Sequence, residues 1–107
     1  MDKRRIVEEA LADLEVEQVN IMDGLDSAIA GIGCQYGKPT LVVYDEELVI
    51  KSLVDEHDMK LDEAWEYYNF NIKHAYYGEG TPIIMQSMDT MEEHFGFNNA
   101  DILTEEA

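Results

Sequence analysis

The order of apolar and polar positions predicts an N-terminal helix over residues 3–18. Apolar side chains recur there at the i, i+3, i+4 and i+7 positions of one helical face. These residues are Val7, Ala10, Leu11 and Leu14. We expect this stripe to face the core, with the polar side chains of the helix in solvent.

Two short apolar segments then predict a β-hairpin. They cover residues 28–34 and 40–44, and the segment between them carries Gly37 and a proline, both typical of turns. The spacing of Gly31, Gly33 and Gly37 comes close to a dinucleotide-binding motif, but a strand follows where that motif requires a helix. We interpret these glycines as turn and bulge residues.

Two longer helices are predicted next. Asp45 is a natural N-cap for a helix over residues 46–56. Its inward residues are Val49, Ile50, Leu53 and Val54. A helix over residues 61–76 has the most regular pattern of the chain. Its inward residues are Leu61, Ala64, Trp65, Tyr68, Ile72, Ala75 and Tyr76.

The last predicted elements are a strand and a short helix. Residues 78–82 read as a turn, and residues 82–86 read as a third strand. Asp89 and Glu92 have the spacing of a capping box for a final helix, which Gly96 would end.

The predicted order α-β-β-α-α-β-α indicates an α+β domain with a small, about three-stranded sheet covered by helices. No repeat or linker divides the chain, so residues 1–107 are interpreted as one acidic domain. Within it we distinguish the N-terminal helix (1–20), the central part (25–87), and the C-terminal helix and tail (88–107).

Charge is the most unusual property of the sequence. The chain has 24 acidic and 7 basic residues, a formal net charge of −17. Solubility of a small domain needs a net charge of only about 2–8. The excess indicates a basic protein partner, such as a nucleic-acid-binding protein, and argues against direct binding to nucleic acid.

Other features of the composition narrow the class. The longest apolar runs fall far short of the roughly 20 residues of a membrane span, and no membrane partner is expected. A single cysteine, Cys34, cannot form a disulfide within the chain. We therefore expect a cytoplasmic protein.

Glu9, Asp13 and Glu17 form a candidate partner-binding row on the first helix. They lie at i, i+4 and i+8, about 6 Å apart along the axis. Because like charges at this spacing destabilise a helix slightly, the row is weighed between an ordinary solvated face and an acidic face that imitates phosphates. The charge of the whole chain favours the acidic binding face.

Phe70 is a second candidate binding residue. It points away from the inward face of its helix, with Glu63, Glu66 and Tyr67 at neighbouring positions. A phenylalanine among acids is either covered by another element or serves as an anchor in a protein interface. Cover by the first helix or the tail is the favoured interpretation.

No catalytic residue, metal site or cofactor is predicted. The histidines His57, His74 and His94 lack metal-binding spacing, and residues 55–58 are better explained as a solvated helix end than as a cation site. Cys34 follows an apolar stretch, and we expect it to be a small buried hydrophobe.

Four short segments carry a resemblance. They are Val43–Asp45, Asp62–Ala64, Asn71–Ile72 and Gly78–Pro82. This layout resembles a group of small uncharacterised proteins of tailed bacteriophages and integrated phage elements, over about residues 25–85. The resemblance implies a phage accessory protein in a bacterial cytoplasm and no particular activity. Lys60 departs from the group's pattern, where a small helix-capping residue is expected.

The leading hypothesis is a phage-encoded inhibitor that acts as a nucleic-acid mimic on a host nuclease, defence system, repressor or polymerase. The alternative is a non-catalytic adaptor or assembly module that binds through an aromatic patch around Phe70. A small hydrolase or metal-dependent enzyme is the least favoured class. The sequence leaves open a homodimer in which Lys3, Arg4 and Arg5 pair with the acidic face of a second copy.

Overall fold

In the part of the chain that the structure describes, four helices and three strands follow one another in the predicted order, which confirms an α+β fold with a small three-stranded sheet. The structure, a computed structural model, describes residues 2–95, without the side chains of residue 90 and residues 93–95. The elements are α1 (Lys3–Asp13), a 3-10 turn (Asp26–Ala28), β1 (Ile29–Gly33), β2 (Leu41–Asp45), α2 (Glu46–Asp55), α3 (Leu61–Asn71), β3 (Ile83–Met85) and α4 (Met88–Phe95).

The sheet has the order β1-β2-β3 and is mixed. β1 and β2 form the predicted hairpin, antiparallel, with an irregularity in register between Ile29 and Gly31. β2 and β3 run parallel, with Val43 opposite Ile83. Because parallel neighbours need a crossover, the chain leaves β2 through α2 and α3 and returns as β3. β1 and β3 are therefore the edge strands.

The core lies between the helices and the face of the sheet that carries Val42 and Tyr44, both of which are fully buried. Alternate residues of β2 point to this face, as the period of a strand requires. The Tyr44 hydroxyl accepts a hydrogen bond of 2.8 Å from the main-chain N–H of Met22. This bond fixes the segment after α1 to the sheet. Core residues include Val7, Leu11, Leu25, Ala28, Ile29, Val49, Ile50, Leu53, Ala64 and Tyr68.

α2 forms where the sequence predicts it. The Asp45 carboxylate accepts a hydrogen bond of 3.1 Å from the N–H of Leu48, which satisfies one free donor of the first turn. Val49, Ile50 and Leu53 are buried, as predicted. Since β2 ends at Asp45, one residue closes the strand and caps the helix.

α1 is shorter than predicted, and its apolar stripe is wrong at Leu14, which is 54 % exposed. The helix ends at Asp13 because Glu15 adopts a left-handed backbone with φ of 56°. The N–H of Val16 then bonds the Leu11 carbonyl at 2.9 Å, as in a Schellman motif. Val16, rather than Leu14, packs against the core.

α3 ends at Asn71, five residues before the predicted end at residue 76. Two of its predicted inward residues are exposed, Leu61 at the start of the helix (61 %) and Tyr76 beyond its end (77 %). The Asn71 side chain donates to the main-chain carbonyl of Tyr67 at 3.1 Å, which occupies an acceptor of the last turn. The chain then turns toward the segment after α1.

Gly80 brings the turn before β3 into direct contact with that segment. Its carbonyl accepts a hydrogen bond of 3.0 Å from the N–H of Asn20. A β-carbon at Gly80 would overlap the carbonyl oxygen of Gln18. The predicted turn is confirmed, since the Thr81 hydroxyl donates to the carbonyl of Gly78 at 2.6 Å, and Gly78 has φ of 94°.

Asp89 lies within the first turn of α4 and does not precede it, so the prediction that Asp89 is the N-cap of this helix is wrong. The helix already begins at Met88, and the N–H of Met91 bonds the Ser87 carbonyl at 3.0 Å. The predicted end at Gly96 lies outside the described residues.

Candidate functional site

Phe70 is exposed, so the expectation that the first helix covers it is wrong, and cover by the tail lies outside the described residues. Its side chain is 81 % accessible, whereas Ala64 and Tyr68 of the same helix are fully buried. At 3.6 residues per turn, Phe70 lies on the side of α3 opposite the core. Among the described residues neither α1 nor any other element packs over it.

The four predicted binding residues of α3 line one shallow depression of about 550 Å³. We call this surface the α3 face and define it by its lining residues. They are Lys60, Asp62, Glu63, Glu66, Tyr67, Phe70 and Asn71. Three carboxylates against one ammonium group make the surroundings of Phe70 negative. The structure thus brings Glu63, Glu66, Tyr67 and Phe70 together.

Part of this acidity serves the helix itself. The Glu63 carboxylate accepts a hydrogen bond of 3.2 Å from the N–H of Lys60, and the Asp62 carboxylate accepts one of 2.9 Å from the N–H of Glu63. These bonds replace the cap that Lys60 cannot supply, because a lysine side chain has no acceptor. Glu66 lies one turn further along, nearer to Phe70 in the sequence.

The predicted acidic row on α1 does not form as a row of three. Glu9 and Asp13 are exposed on α1, but Glu17 lies beyond the end of the helix. Glu9 also pairs with Arg5, with 3.4 Å between Oε1 and Nε. Glu17 instead lines a different depression together with Glu79. The regular spacing predicted from the sequence is therefore wrong.

The three N-terminal bases have partners within the chain. The Lys3 ammonium donates to the Ser27 carbonyl at 2.8 Å. Arg4 pairs with Asp23 at 3.0 Å and with Asp26 at 3.5 Å, and it also contacts Glu8. Because these contacts join α1 to the following segment, the bases have a structural role here. A homodimer through them remains a prediction.

Cys34, His57 and His74 each lie in a different part of the described structure. Cys34 is exposed at the end of the hairpin, so its predicted burial is wrong. A ring nitrogen of His57 lies 2.9 Å from the Gly24 carbonyl. His74 lines the pocket described next, and the side chain of His94 is outside the described part. Within residues 2–95 no three His, Cys, Asp or Glu side chains form a cluster that could hold a metal.

The most unusual polar group is Glu46, in the first turn of α2 directly after the Asp45 cap. Its side chain is only 2 % exposed. Oε1 accepts a hydrogen bond of 2.6 Å from the Tyr68 hydroxyl, and Oε2 accepts one of 3.1 Å from the Gln86 amide. The Lys73 ammonium lies 3.9 Å from Oε1. One carboxylate thus joins α2, α3 and the chain after β3.

Glu46 lies at the bottom of a second surface depression, which we call the Glu46 pocket. Its volume is about 400 Å³. It lies near the carboxyl ends of the parallel strands β2 and β3, where α/β proteins often bind ligands. Its lining residues are Met22, Glu46, Ile72, Lys73, His74, Ala75, Tyr77, Thr81, Pro82, Ile84 and Gln86.

A third depression of about 350 Å³ shares lining residues with both the α3 face and the Glu46 pocket. It shares Tyr67 and Asn71 with the α3 face. At its other end it shares Met22, Ile72 and Tyr77 with the Glu46 pocket. The third depression therefore neighbours both of the others, whereas the α3 face and the Glu46 pocket share no lining residue.

Comparison with protein-family models, curated proteins and solved structures finds no match for this chain. The resemblance to phage proteins stays a prediction, and the assignment of function rests on the chain's own surface. No helix in the described range is long and apolar enough to cross a membrane.

The burial of Tyr68 predicts a loss of stability in alkali. Burial raises the pKa of the Tyr68 hydroxyl, and the hydrogen bond to Glu46 and its negative charge raise it further. An unfolded tyrosine has a pKa of about 10, so this contribution to stability is complete below about pH 10 and is lost as the pH rises above it. We expect the free energy of unfolding to fall above about pH 10, and to fall less steeply in Tyr68→Phe.

Urea unfolding between about pH 8 and pH 11, followed by circular dichroism, measures this difference. Tyr36→Phe is the matched control, since the Tyr36 side chain is fully exposed. Burial also raises the pKa of Tyr44, so a residual alkaline decline is expected in Tyr68→Phe. Identical pH profiles for Tyr68→Phe and Tyr36→Phe would contradict the assignment.

Proposed function

We propose that this protein is a non-catalytic, acidic binding protein that occupies the nucleic-acid-binding surface of a basic partner and thereby inhibits it. The observation that carries the proposal is the exposure of Phe70 on the carboxylate-lined α3 face. Aromatic side chains, phenylalanine included, are enriched in protein interfaces relative to the rest of the surface.

Electrostatics supports a basic partner. The net charge of −17 is far larger than solubility requires. It would accelerate encounter with a positive surface and oppose binding to acidic ones. The α3 face combines such a field with an apolar anchor, so attraction at long range and burial at short range would act at one place.

Nucleic-acid mimicry is the form of inhibition that these features fit best. Surfaces of nucleases, repressors and polymerases that bind phosphates are rich in lysine and arginine. On this protein the proposed mimic is the α3 face, with Glu63 and Glu66 beside Phe70. Glu9 and Asp13 would contribute only to the overall negative charge of the protein. Glu9 forms an ion pair with Arg5, and Glu17 lies beyond the end of α1. The phage resemblance would place the partner in a bacterial cytoplasm.

A second candidate is an adaptor or assembly module that binds through apolar contact alone. The exposure of Tyr67 and Leu61 on the same helix as Phe70 favours it. Salt separates the two functions. Charge attraction at the surface is screened within about 3 Å at 1 M salt, whereas burial of aromatic surface is not weakened in this way.

The deciding experiment compares aromatic and charge variants for binding to a captured basic partner. We expect Phe70→Ala to weaken binding by about 30-fold or more, as truncation of an interface anchor does. Tyr36→Ala, which removes an exposed aromatic ring elsewhere, should leave binding unchanged. Affinities by surface plasmon resonance in about 0.15 M salt, with competition by duplex DNA, give both the strength and the site.

Charge reversal then distinguishes the two acidic regions. We expect the double variant Glu63→Lys and Glu66→Lys to lose at least about tenfold in affinity, mostly in the association rate. The same reversal at Glu9 and Asp13 should cost much less. If both double variants lost the same affinity, net charge alone would explain the effect. If Phe70→Ala bound the partner as tightly as the unaltered protein, the α3 face would not be the binding surface.

A further inference from the structure

The Glu46 carboxylate has capacity for another hydrogen-bond donor. An ionised carboxylate offers about four lone-pair sites, and among the described residues Tyr68 and Gln86 occupy one on each oxygen. The nearest positive charge is the Lys73 ammonium, whose 3.9 Å distance is too long for a hydrogen bond. The buried negative charge is thus only loosely compensated.

The Lys73 ammonium group can be displaced from its position beside the Glu46 carboxylate. Its side chain is 39 % exposed, while Glu46 is 2 % exposed, so the ammonium group reaches the carboxylate from the solvent side. A lysine has a long flexible stem and a strongly hydrated head, and it loses little by returning to water. The position beside Glu46 therefore accepts a cation that another cation can replace.

The walls of the pocket suit a planar cation. Tyr77 lines it and is 55 % exposed, so its ring is available for stacking. The Gln86 side chain donates through its nitrogen to Glu46, which leaves its carbonyl oxygen as an acceptor. A guanidinium group stacks on aromatic rings and binds both oxygens of a carboxylate, whereas an ammonium group binds as a point charge.

The Glu46 pocket lies near the proposed binding surface, with one further depression that neighbours both. The intermediate depression shares Tyr67 with the α3 face and Tyr77 with the Glu46 pocket. A basic partner bound at Phe70 would therefore place some of its own side chains near the Glu46 pocket.

We infer that the Glu46 pocket binds the guanidinium group of an arginine side chain of the partner, which displaces the Lys73 ammonium from the Glu46 carboxylate. This inference takes its source of arginine from the proposed function. The site itself is defined by Glu46, Lys73, Tyr77 and Gln86.

The test uses an arginine residue without a partner. N-acetyl-arginine amide is titrated into the ¹⁵N-labelled full chain at about pH 8, where an unperturbed histidine is neutral. We expect saturable shifts at the Gln86 side-chain amide and at residues 72–77, with a dissociation constant on the order of 1 mM. N-acetyl-citrulline amide, which has the same shape without the charge, should give no saturable shift. Shifts that stay linear, or that match those of citrulline, would overturn the inference.

Two variants connect the binding to the proposed atoms. Glu46→Gln should abolish saturation, while Glu47→Gln, an exposed neighbour on the same helix, should change the constant less than about twofold. Lys73→Met removes the resident cation and should tighten binding by roughly 3- to 10-fold. Should Glu46→Gln fail to fold, the Lys73→Met result decides, and unchanged or weaker binding would overturn the displacement.

The origin of the guanidinium group is tested separately. Free arginine carries two further charges at its backbone, so a constant at least about tenfold tighter than that of the capped residue would indicate a free amino acid and overturn a partner's side chain. The capped residue binding equally well supports the partner. The two proposals can also fail separately. If N-acetyl-arginine amide binds saturably but Phe70→Ala does not change the partner's affinity, the proposed function is wrong and the arginine-binding pocket remains.

Discussion

Replacing Gly80 by alanine is expected to lower the free energy of unfolding by about 3 kcal/mol or more. The new β-carbon would overlap the Gln18 carbonyl and lie 3.2 Å from the Cα atom of Val19. Main-chain atoms cannot move aside as the end of a flexible side chain can. The turn would have to withdraw, which also breaks the 3.0 Å hydrogen bond between Asn20 and Gly80. Urea unfolding followed by the fluorescence of Trp65, the single tryptophan, measures the loss.

Gly37→Ala is the matched control for this prediction. Gly37 has φ of 77° and nothing within 4 Å of the position of a β-carbon. Its replacement therefore costs only the strain of a left-handed alanine, about 1 kcal/mol. If both variants lost the same amount, the close approach of Gly80 to residues 18–20 would not be the cause.

Removing the Glu46 carboxylate is expected to cost about 3–5 kcal/mol, because breaking a buried, paired charge leaves its partners without compensation. In Glu46→Ala the Tyr68 hydroxyl and the Gln86 amide lose their acceptor, and the Lys73 ammonium loses its nearby negative charge. The loss is measured by urea unfolding at about pH 7.

Glu47→Ala provides the comparison at the next position of α2. Its side chain is exposed, so its removal should cost less than about 1 kcal/mol, the scale of a helix-dipole contribution. Equal effects at Glu46 and Glu47 would mean that burial of Glu46 adds nothing to stability. The arginine-binding inference would remain open to its own test, because that test measures ligand shifts and not unfolding.

Local sequence was sufficient to predict α2. The cap at Asp45 and the inward residues Val49, Ile50 and Leu53 lie within ten positions, and each agrees with the others. The hairpin could also be predicted from local sequence, since its turn glycine lies between two apolar segments. Elements of this kind are specified by neighbours along the chain.

The ends of α1 and α3 depend on tertiary contacts that the pattern does not contain. Leu14 continues the apolar period, yet the left-handed backbone of Glu15 ends the helix and puts Val16 into the core. A glycine is the usual signal for such an end, and here a glutamate takes its place. At Tyr76 the pattern also continues, but the chain has already turned to bring Gly80 against Gln18.

Some features of the candidate site could likewise be predicted from local sequence, and others depend on tertiary contacts. The direction of Phe70 followed from helical geometry, whereas its exposure depends on which elements pass over it. Burial of Glu46 could not be read from its neighbours, because an acid after an N-cap normally faces solvent. Its partners Tyr68 and Gln86 are 22 and 40 residues away, and only the completed sheet and helices bring them to it.

The two edge strands have a consequence for the behaviour of many copies together. β3 is three residues long and follows Pro82, and β1 is irregular between Ile29 and Gly31. Short or bulged edges pair poorly with a foreign strand, and mutual repulsion between chains of charge −17 keeps such strands apart. Near the isoelectric point of about pH 4.1, partial protonation of the carboxylates cancels the net charge and this repulsion, but leaves the irregular edges. Protection against fibrous assembly then depends on the geometry of these two strands alone.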